Sequence, residues 1–168
     1  MMNTSMMGKH NAWQATLWSI AIPGFGQIIN GKYIKGLTLI ALELLINMHS
    51  SLNTIIIYSF QGQIMESINA TNYQWLMFYP CIYLFAIWDA YNDADQGKTP
   101  LLFMPFALAA YSGTIGVIFS NTFTIKNIYL GPLWSFLFFV PIGLGIGFFV
   151  RFVMLRYMTP RQLSQTEQ

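Results

Sequence analysis

The stretch from Ile22 to Gly36 reads IPGFGQIINGKYIKG, a turn rich in glycine and proline that carries two lysines and interrupts the first of several long apolar stretches. Proline lacks a backbone donor and glycine lacks a side chain, so this composition breaks a helix and lets another backbone come close. The side chains of Gln27 and Asn30 can bond the peptide groups that such a break leaves free. We therefore expect a broken helical hairpin over residues 12–36.

Four segments after this turn are long enough and apolar enough to cross a membrane. A helix rises 1.5 Å per residue, so a hydrocarbon core about 30 Å thick takes about 20 residues. The segments run from Leu37 to Phe60, from Trp75 to Tyr91, from Leu101 to Ser120 and from Leu133 to Val150. The sequence thus predicts an all-α integral membrane protein, with a kinked bundle of four transmembrane helices over residues 37–150 of a single membrane domain, 1–168.

The composition agrees with a membrane protein and argues against a nucleic-acid partner. Of the 168 residues, 55% are hydrophobic and only 8% are charged, against about 25% charged in a soluble domain. The formal net charge is +2, and the eight basic residues are spread along the chain, so no nucleic-acid partner is expected. The one cysteine, Cys81, lies in an apolar run, and we expect it to be an inert, buried thiol.

The basic residues predict which side of the membrane each loop faces. The tail 151–168 carries three arginines against one glutamate, and the positive-inside rule places such a tail in the cytoplasm. Counting back over four spans puts Lys98, Lys32 and Lys35 on the same side and Lys126 outside. The C-terminus is therefore predicted to be cytoplasmic.

The first apolar stretch, Ala12 to Ile29, is shorter and is broken by its turn. It either crosses the membrane, lies in the interface, or enters and leaves as a re-entrant hairpin. Lys9 is cytoplasmic only if this stretch does not cross. We favour an interfacial or re-entrant N-terminal helix after a mobile N-terminus, 1–11, with five spans as the alternative.

The spacing P-G-x-G-Q-x-x-x-G-x-x-x-K-G resembles the opening of small bacterial membrane proteins related to the two-transmembrane-helix domain family. In that group the hairpin is followed by a hydrophobic helix and a short turn similar to D-A-Y, where Asp89-Ala90-Tyr91 stands here. Ile28 and Ile29 replace the usual aromatic residue. The resemblance covers about a third of the chain, implies a bacterial inner membrane location and brings no catalytic residues. The matching hairpin residues are Pro23, Gly24, Gly26, Gln27, Gly31, Lys35 and Gly36.

The first predicted span carries a stripe of polar side chains. Glu43, Asn47, Ser50 and Thr54 recur at helical spacing, which predicts one polar face. An ionised carboxylate facing lipid costs roughly 3 kcal/mol, so Glu43 should face protein, water or the interface, or be protonated. Two interpretations stay open: hydrogen bonds between helices, or a polar pathway or ligand-facing surface.

Small residues and prolines in the later spans predict a compact, bent bundle. Gly143 and Gly147, with Gly145 between them, give the last span a smooth face for close helix packing. Gly113 and Gly116 do the same for the span before it. The prolines that we expect to bend spans are Pro80, Pro105 and Pro141.

The three aspartates at 89, 93 and 95 do not fit a calcium loop, because the glycine is one place late and no glutamate closes the pattern. We expect them to lie in a solvated loop and to pair with Lys98, Lys32 or Lys35.

No catalytic pair, metal-ligand set or cofactor motif is evident, because His10 and His49 have no partner at motif spacing. The expected function is therefore that of a non-enzymatic scaffold, regulator or stress-related component. Its partners would be the lipid bilayer and other membrane proteins or copies of itself. The alternative is an accessory subunit of a transporter, or a small oligomeric transporter that uses the Glu43 stripe.

Overall fold

The computed structural model describes residues 12–125 and 127–158, and about 77% of them are helical. The predictions for the N-terminus 1–11, for Lys126 and for residues 159–168 of the tail lie outside the described residues. The all-α prediction is confirmed for the rest, except for one pair of two-residue antiparallel strands in which Thr124 pairs with Tyr129.

The elements follow one another with short connections. In chain order they are α1 Ala12–Ala21, α2 Phe25–Ile29, α3 Tyr33–Ser50, α4 Leu52–Phe60, α5 Ile64–Ala70, α6 Tyr73–Leu76, α7 Tyr79–Asp95, α8 Phe103–Ile118, β1 Thr124–Ile125, β2 Ile128–Tyr129 and α9 Gly131–Tyr157.

The helices α3, α7, α8 and α9 run alternately up and down. The start of α3 meets the end of α7, where Lys35 pairs with Asp89. The start of α8 meets the end of α9, where Gly147 packs on Pro105. One end of the molecule therefore collects the start of α3, the end of α7, the start of α8 and the end of α9. We call it the basic end, because it holds the five basic residues that the structure describes: Lys32, Lys35, Lys98, Arg151 and Arg156.

The first two helices form a short hairpin at this basic end. The ten residues of α1 rise about 15 Å, and a turn at Gly24 then sends α2 back towards the end of α7. Gly24 has φ 102°, and a Cβ there would collide with the carbonyl oxygen of Gly36 at the start of α3. The turn needs glycine both for its backbone conformation and for its closeness to α3.

The long helix expected from Leu37 to Phe60 is broken in the structure. Ser51 adopts a left-handed conformation with φ 63°, and α4 leaves at 64° to α3. The bend lets α4 pack on α5 and α9: Ser67 Oγ donates to the carbonyl oxygen of Ile55, and Trp134 Nε1 donates to that of Ser59. A straight continuation of α3 could not make these contacts, so tertiary packing overrides the apolar pattern.

Other segment boundaries also differ from the prediction. The polar stretch 61–74 contains α5, and the second span begins as the short helix α6 before α7. Pro80 and Pro105 lie in the first turns of α7 and α8, where a missing backbone donor has no cost, so the bends expected at these two prolines are wrong. Pro141 does lie inside α9. Cys81 is exposed, so its predicted burial is also wrong.

Buried apolar side chains are few, and they form two small clusters. One joins α4, α6 and α8 through Leu52, Ile55, Leu76 and Val117. The other joins α7 and α8 through Leu84, Ile87 and Ala109. Large apolar side chains on most helices are exposed instead, including Trp13, Ile34, Met48, Phe60 and Phe149.

Within the described residues, α9 is long and apolar enough to cross a membrane, and only 11% of its most apolar window is buried. The bent pair α3–α4 passes the same test if it is taken as one broken span. α8 is apolar but has only 16 residues. Length and composition therefore identify one or two candidate spans, fewer than the four predicted.

Candidate functional site

The N-terminal hairpin meets the end of α7 in a buried polar cluster around Gln27. The Gln27 side chain is fully buried, and its Nε2 donates to the carbonyl oxygen of Ala86 at 2.8 Å and to Asp89 Oδ2 at 3.0 Å. Its Oε1 accepts a hydrogen bond from Ser19 Oγ at 3.4 Å. Both ends of the amide are therefore bonded, as a buried polar group requires.

Lys35 closes the cluster from the first turn of α3. Its Nζ lies 2.9 Å from Asp89 Oδ1 and 2.9 Å from Asp93 Oδ2. The two aspartates are four residues apart on α7, so they share a face and would repel each other without a cation between them. Lys35 thus ties the start of α3 to the end of α7.

The charge environment favours the protonated form of Lys35. Burial lowers the pKa of its ammonium group, but hydrogen bonds to Asp89 and Asp93 and the attraction of both carboxylates outweigh burial and raise the pKa above its usual 10.5. Lys35 therefore stays charged through the physiological pH range.

Two further features bring α2 against α7. Asn30 Nδ2 donates to the carbonyl oxygen of Ala90 at 2.8 Å. A Cβ on Gly26 would lie 2.7 Å from Ala90 Cβ and would also collide with Ala15 and Ser19 of α1. A larger residue at 26 would push α2 away and break the hydrogen bonds of Gln27 and Asn30.

The cluster joins the two parts of the sequence motif. Gln27 and Lys35 come from the hairpin, and Asp89 and Ala90 come from the later D-A-Y turn. Of the other glycines of the motif, Gly24 and Gly36 lie against each other, while Gly31 has open space around it. The peptide groups that Gln27 and Asn30 bond belong to α7 and not to the hairpin break, which differs from our expectation.

The aspartates occupy helix and not loop. α7 continues to Asp95, so Asp89 and Asp93 lie on its last turns. Three lysines were proposed as partners of the aspartates, and Lys35 is the one that forms ion pairs, with Asp89 and Asp93. Asp93 was predicted to pair with a lysine but in a loop, although its spacing of four from Asp89 is the signal that a helical reading would have used.

The polar stripe does not form one continuous face. Glu43 is half-buried and has no hydrogen bond or ion pair among the residues described. Asn47 Nδ2 donates to Asn53 Oδ1 at 3.3 Å, and Ser50 Oγ bonds back to the carbonyl oxygen of Asn47. Thr54 lies beyond the bend at Ser51 and is exposed. The stripe is therefore limited to α3.

The glycines expected to pack helices lie in the contact between α8 and α9. A Cβ on Gly143 would lie 2.6 Å from Ala109 Cα, and one on Gly147 would collide with Pro105 Cα. Gly145 has nothing within 4 Å and faces away from α8. Gly143 and Gly147 thus let the backbones of α8 and α9 touch.

The buried part of the site is occupied by contacts within the chain. Both oxygens of Asp89 have partners, and Asp93 Oδ2 pairs with Lys35. Across residues 12–125 and 127–158 there is no group of three or more histidine, cysteine, aspartate or glutamate side chains that could hold a metal. The arrangement can clamp helices together by hydrogen bonds and ion pairs.

No protein-family model, curated protein or solved structure matches this chain. The resemblance of the hairpin to the two-transmembrane-helix group therefore stays a prediction.

Proposed function

We propose that this chain is an integral membrane protein in which α3, α7, α8 and α9 cross the bilayer. The main support is the exposure of α9. This helix is long and apolar enough to span a membrane, yet only 11% of its most apolar window is buried. A core helix of a water-soluble protein is mostly buried, whereas a lipid-facing helix is not. The many exposed large apolar side chains on the other helices support the same environment.

The proposed orientation places the basic end in the cytoplasm. All five basic residues in the described part of the chain lie at this end, which is the pattern of the positive-inside rule. In this arrangement α1 and α2 form a re-entrant hairpin, since ten residues reach only half of a core about 30 Å thick. This favours four spans over five. The location in a bacterial inner membrane rests on the sequence resemblance.

Within the membrane, we propose a non-enzymatic scaffold, regulator or stress-related component that acts through contacts with lipid, with other membrane proteins or with itself. The polar cluster supports this role because Gln27, Asp89 and Lys35 bond one another and the backbone of α7, as in a structural clamp. The exposed apolar helix faces provide the contact surfaces.

Two measurements test the proposal. Alkaline carbonate extraction of membranes should leave the full chain in the pellet, and release into the supernatant would contradict an integral location. Purification in mild detergent followed by crosslinking mass spectrometry should then give contacts with membrane proteins or between copies. A stoichiometric ATPase or permease partner would instead favour a transporter subunit.

Transport is the second candidate function, and the residue that supports it is Glu43. Glu43 is a half-buried carboxylate inside a proposed span, and it has no partner among the described residues. Placing such a group in a membrane costs free energy, which makes Glu43 a candidate for a functional role. If the protein moves a proton or a cation, Glu43→Gln should abolish the flux into liposomes, while Glu66→Gln on the exposed surface of α5 should leave it unchanged. Equal fluxes in both variants would remove Glu43 from any transport role.

A further inference from the structure

We propose that the groove between α3, α7 and α8 binds one acyl chain of an anionic phospholipid, with the headgroup at the basic end. This inference rests on the membrane location proposed above, but it adds a defined site and a ligand class.

The groove has the size and lining of a ligand site. Its volume is about 640 Å³, within the range of about 300–1,000 Å³ that small-molecule sites occupy. Leu39 of α3, Phe85 and Trp88 of α7, and Phe106 and Ala107 of α8 are among its lining residues, and almost all of the lining surface is apolar. Ala107 is exposed and small, so the groove is open along α8. An acyl chain fits this lining better than any polar solute.

Trp88 places a large aromatic ring in the wall of the groove, near its basic end. Trp88 Nε1 is buried and has no hydrogen-bond partner among the residues described. Because this nitrogen has almost no accessible surface, the indole ring offers the groove its apolar carbon face and not a donor. Trp88 lies two turns before the end of α7 at the basic end. Tryptophan is enriched at the membrane–water boundary, so this position fits an acyl chain that enters the groove from the basic end.

The charges beyond the groove select an anionic headgroup. Lys32 precedes α3 and Lys98 follows α7, so two of the helices that form the groove end next to a lysine at the basic end. Both lysines are exposed, and neither forms an ion pair with the rest of the described chain. Each lysine near a membrane surface is attracted to anionic lipid by about as much as a fivefold change in binding.

The test is photo-crosslinking in nanodiscs of phosphatidylcholine that carry a minor fraction of a probe lipid with a diazirine on its acyl chain. The probe has either a phosphatidylglycerol or a phosphatidylcholine headgroup. After irradiation, mass spectrometry measures labelling of the peptides that contain Phe85, Trp88 and Phe106. We expect the phosphatidylglycerol probe to label these peptides several-fold more than the phosphatidylcholine probe does.

Two variants test whether the excess labelling by the phosphatidylglycerol probe depends on the groove and on a lysine beside it. Ala107→Trp fills the groove from an exposed position and should remove the excess, while Ala21→Trp, the same substitution at an exposed residue of α1 outside the groove, should keep it. Lys98→Gln leaves the groove open and should lower the excess about fivefold. It keeps the test decisive if Ala107→Trp disturbs folding.

Equal labelling by the two probes, or an excess that survives both Ala107→Trp and Lys98→Gln, would overturn the proposal. A second copy of the chain in the groove is another outcome that overturns it. Cys81 lines the groove and is the sole cysteine of the chain, so oxidation would then trap a disulfide-linked dimer. The carbonate extraction described above decides the membrane location separately, so failure of the lipid site and failure of the proposed function are distinguishable.

Discussion

Gln27 Nε2 donates a hydrogen bond to Asp89 Oδ2 over 3.0 Å, which joins residues 62 positions apart in the chain. Gln27 is fully buried and Asp89 nearly so. The bond fixes the short helix α2 of the N-terminal hairpin to the last turns of α7. The clamp thus adds to the packing of α1 on α7 in docking the hairpin.

Removing the Gln27 amide should weaken the clamp. Gln27→Leu keeps a similar volume but leaves Asp89 and the carbonyl of Ala86 without this donor. We expect the free energy of unfolding to fall by about 1–3 kcal/mol, measured by thermal unfolding followed by circular dichroism in detergent. Gln61→Leu, at an exposed position, is the control. Equal melting temperatures for the two variants would contradict the clamp.

The ion pairs of Lys35 should make stability depend on pH at the alkaline end. Because the pKa of Lys35 is raised above 10.5, its contribution is fully present below pH 10.5 and is lost as the pH rises through the higher, folded-state value. Lys35→Met should therefore be less stable than the natural chain at neutral pH, and the difference should shrink above pH 10.5. Lys32→Met, which removes an exposed lysine without an ion pair in the described chain, should show little difference at any pH. A constant gap across this pH range would argue that Lys35 contributes through packing alone.

Gly143 and Gly145 of the last helix separate the effect of packing from that of helix propensity. Gly143→Ala places a Cβ 2.6 Å from Ala109 Cα, so the backbones of α8 and α9 must move apart and stability should fall. Gly145→Ala meets nothing within 4 Å and should gain up to about 1 kcal/mol from helix propensity. Thermal unfolding of both variants measures the contrast. Destabilisation by Gly145→Ala would mean that another chain packs there.

Cysteine labelling tests the four-span arrangement. In a Cys81→Ser background, single cysteines at Gln14, Lys98 and Gln61 are all at exposed positions. A membrane-impermeant maleimide should label Gln14→Cys and Lys98→Cys from the same side and Gln61→Cys from the other. Labelling of Gln14→Cys together with Gln61→Cys would instead show that α1 crosses the membrane and would establish five spans.

Local chemistry allowed parts of this structure to be predicted from sequence. Proline and glycine at 23, 24 and 26 break the helix wherever they fall, because they change the backbone itself. Gly143 and Gly147 recur four residues apart on an apolar helix, and that spacing alone puts them on one face. Because glycine has no side chain, the sequence also predicted that this face packs closely on a neighbouring helix.

The bend at Ser51 was not predictable in the same way. The residues from Leu37 to Phe60 are on average apolar enough for one helix, and neither glycine nor proline interrupts them. The helix breaks because α4 gains contacts with α5 and with α9, and α9 lies far away in the chain. The Glu43 stripe was extrapolated across that bend and so was too long.

By itself, the sequence determined the helical class of this protein, the position of its first turn and the glycine faces of its last helix, since each depends on composition or short-range spacing. The tertiary structure alone decided which lysine of three pairs with the aspartates, and that Gln27 bonds α7 and not its own hairpin. Those choices depend on distances between helices that approach each other only after folding, and no local pattern encodes such distances.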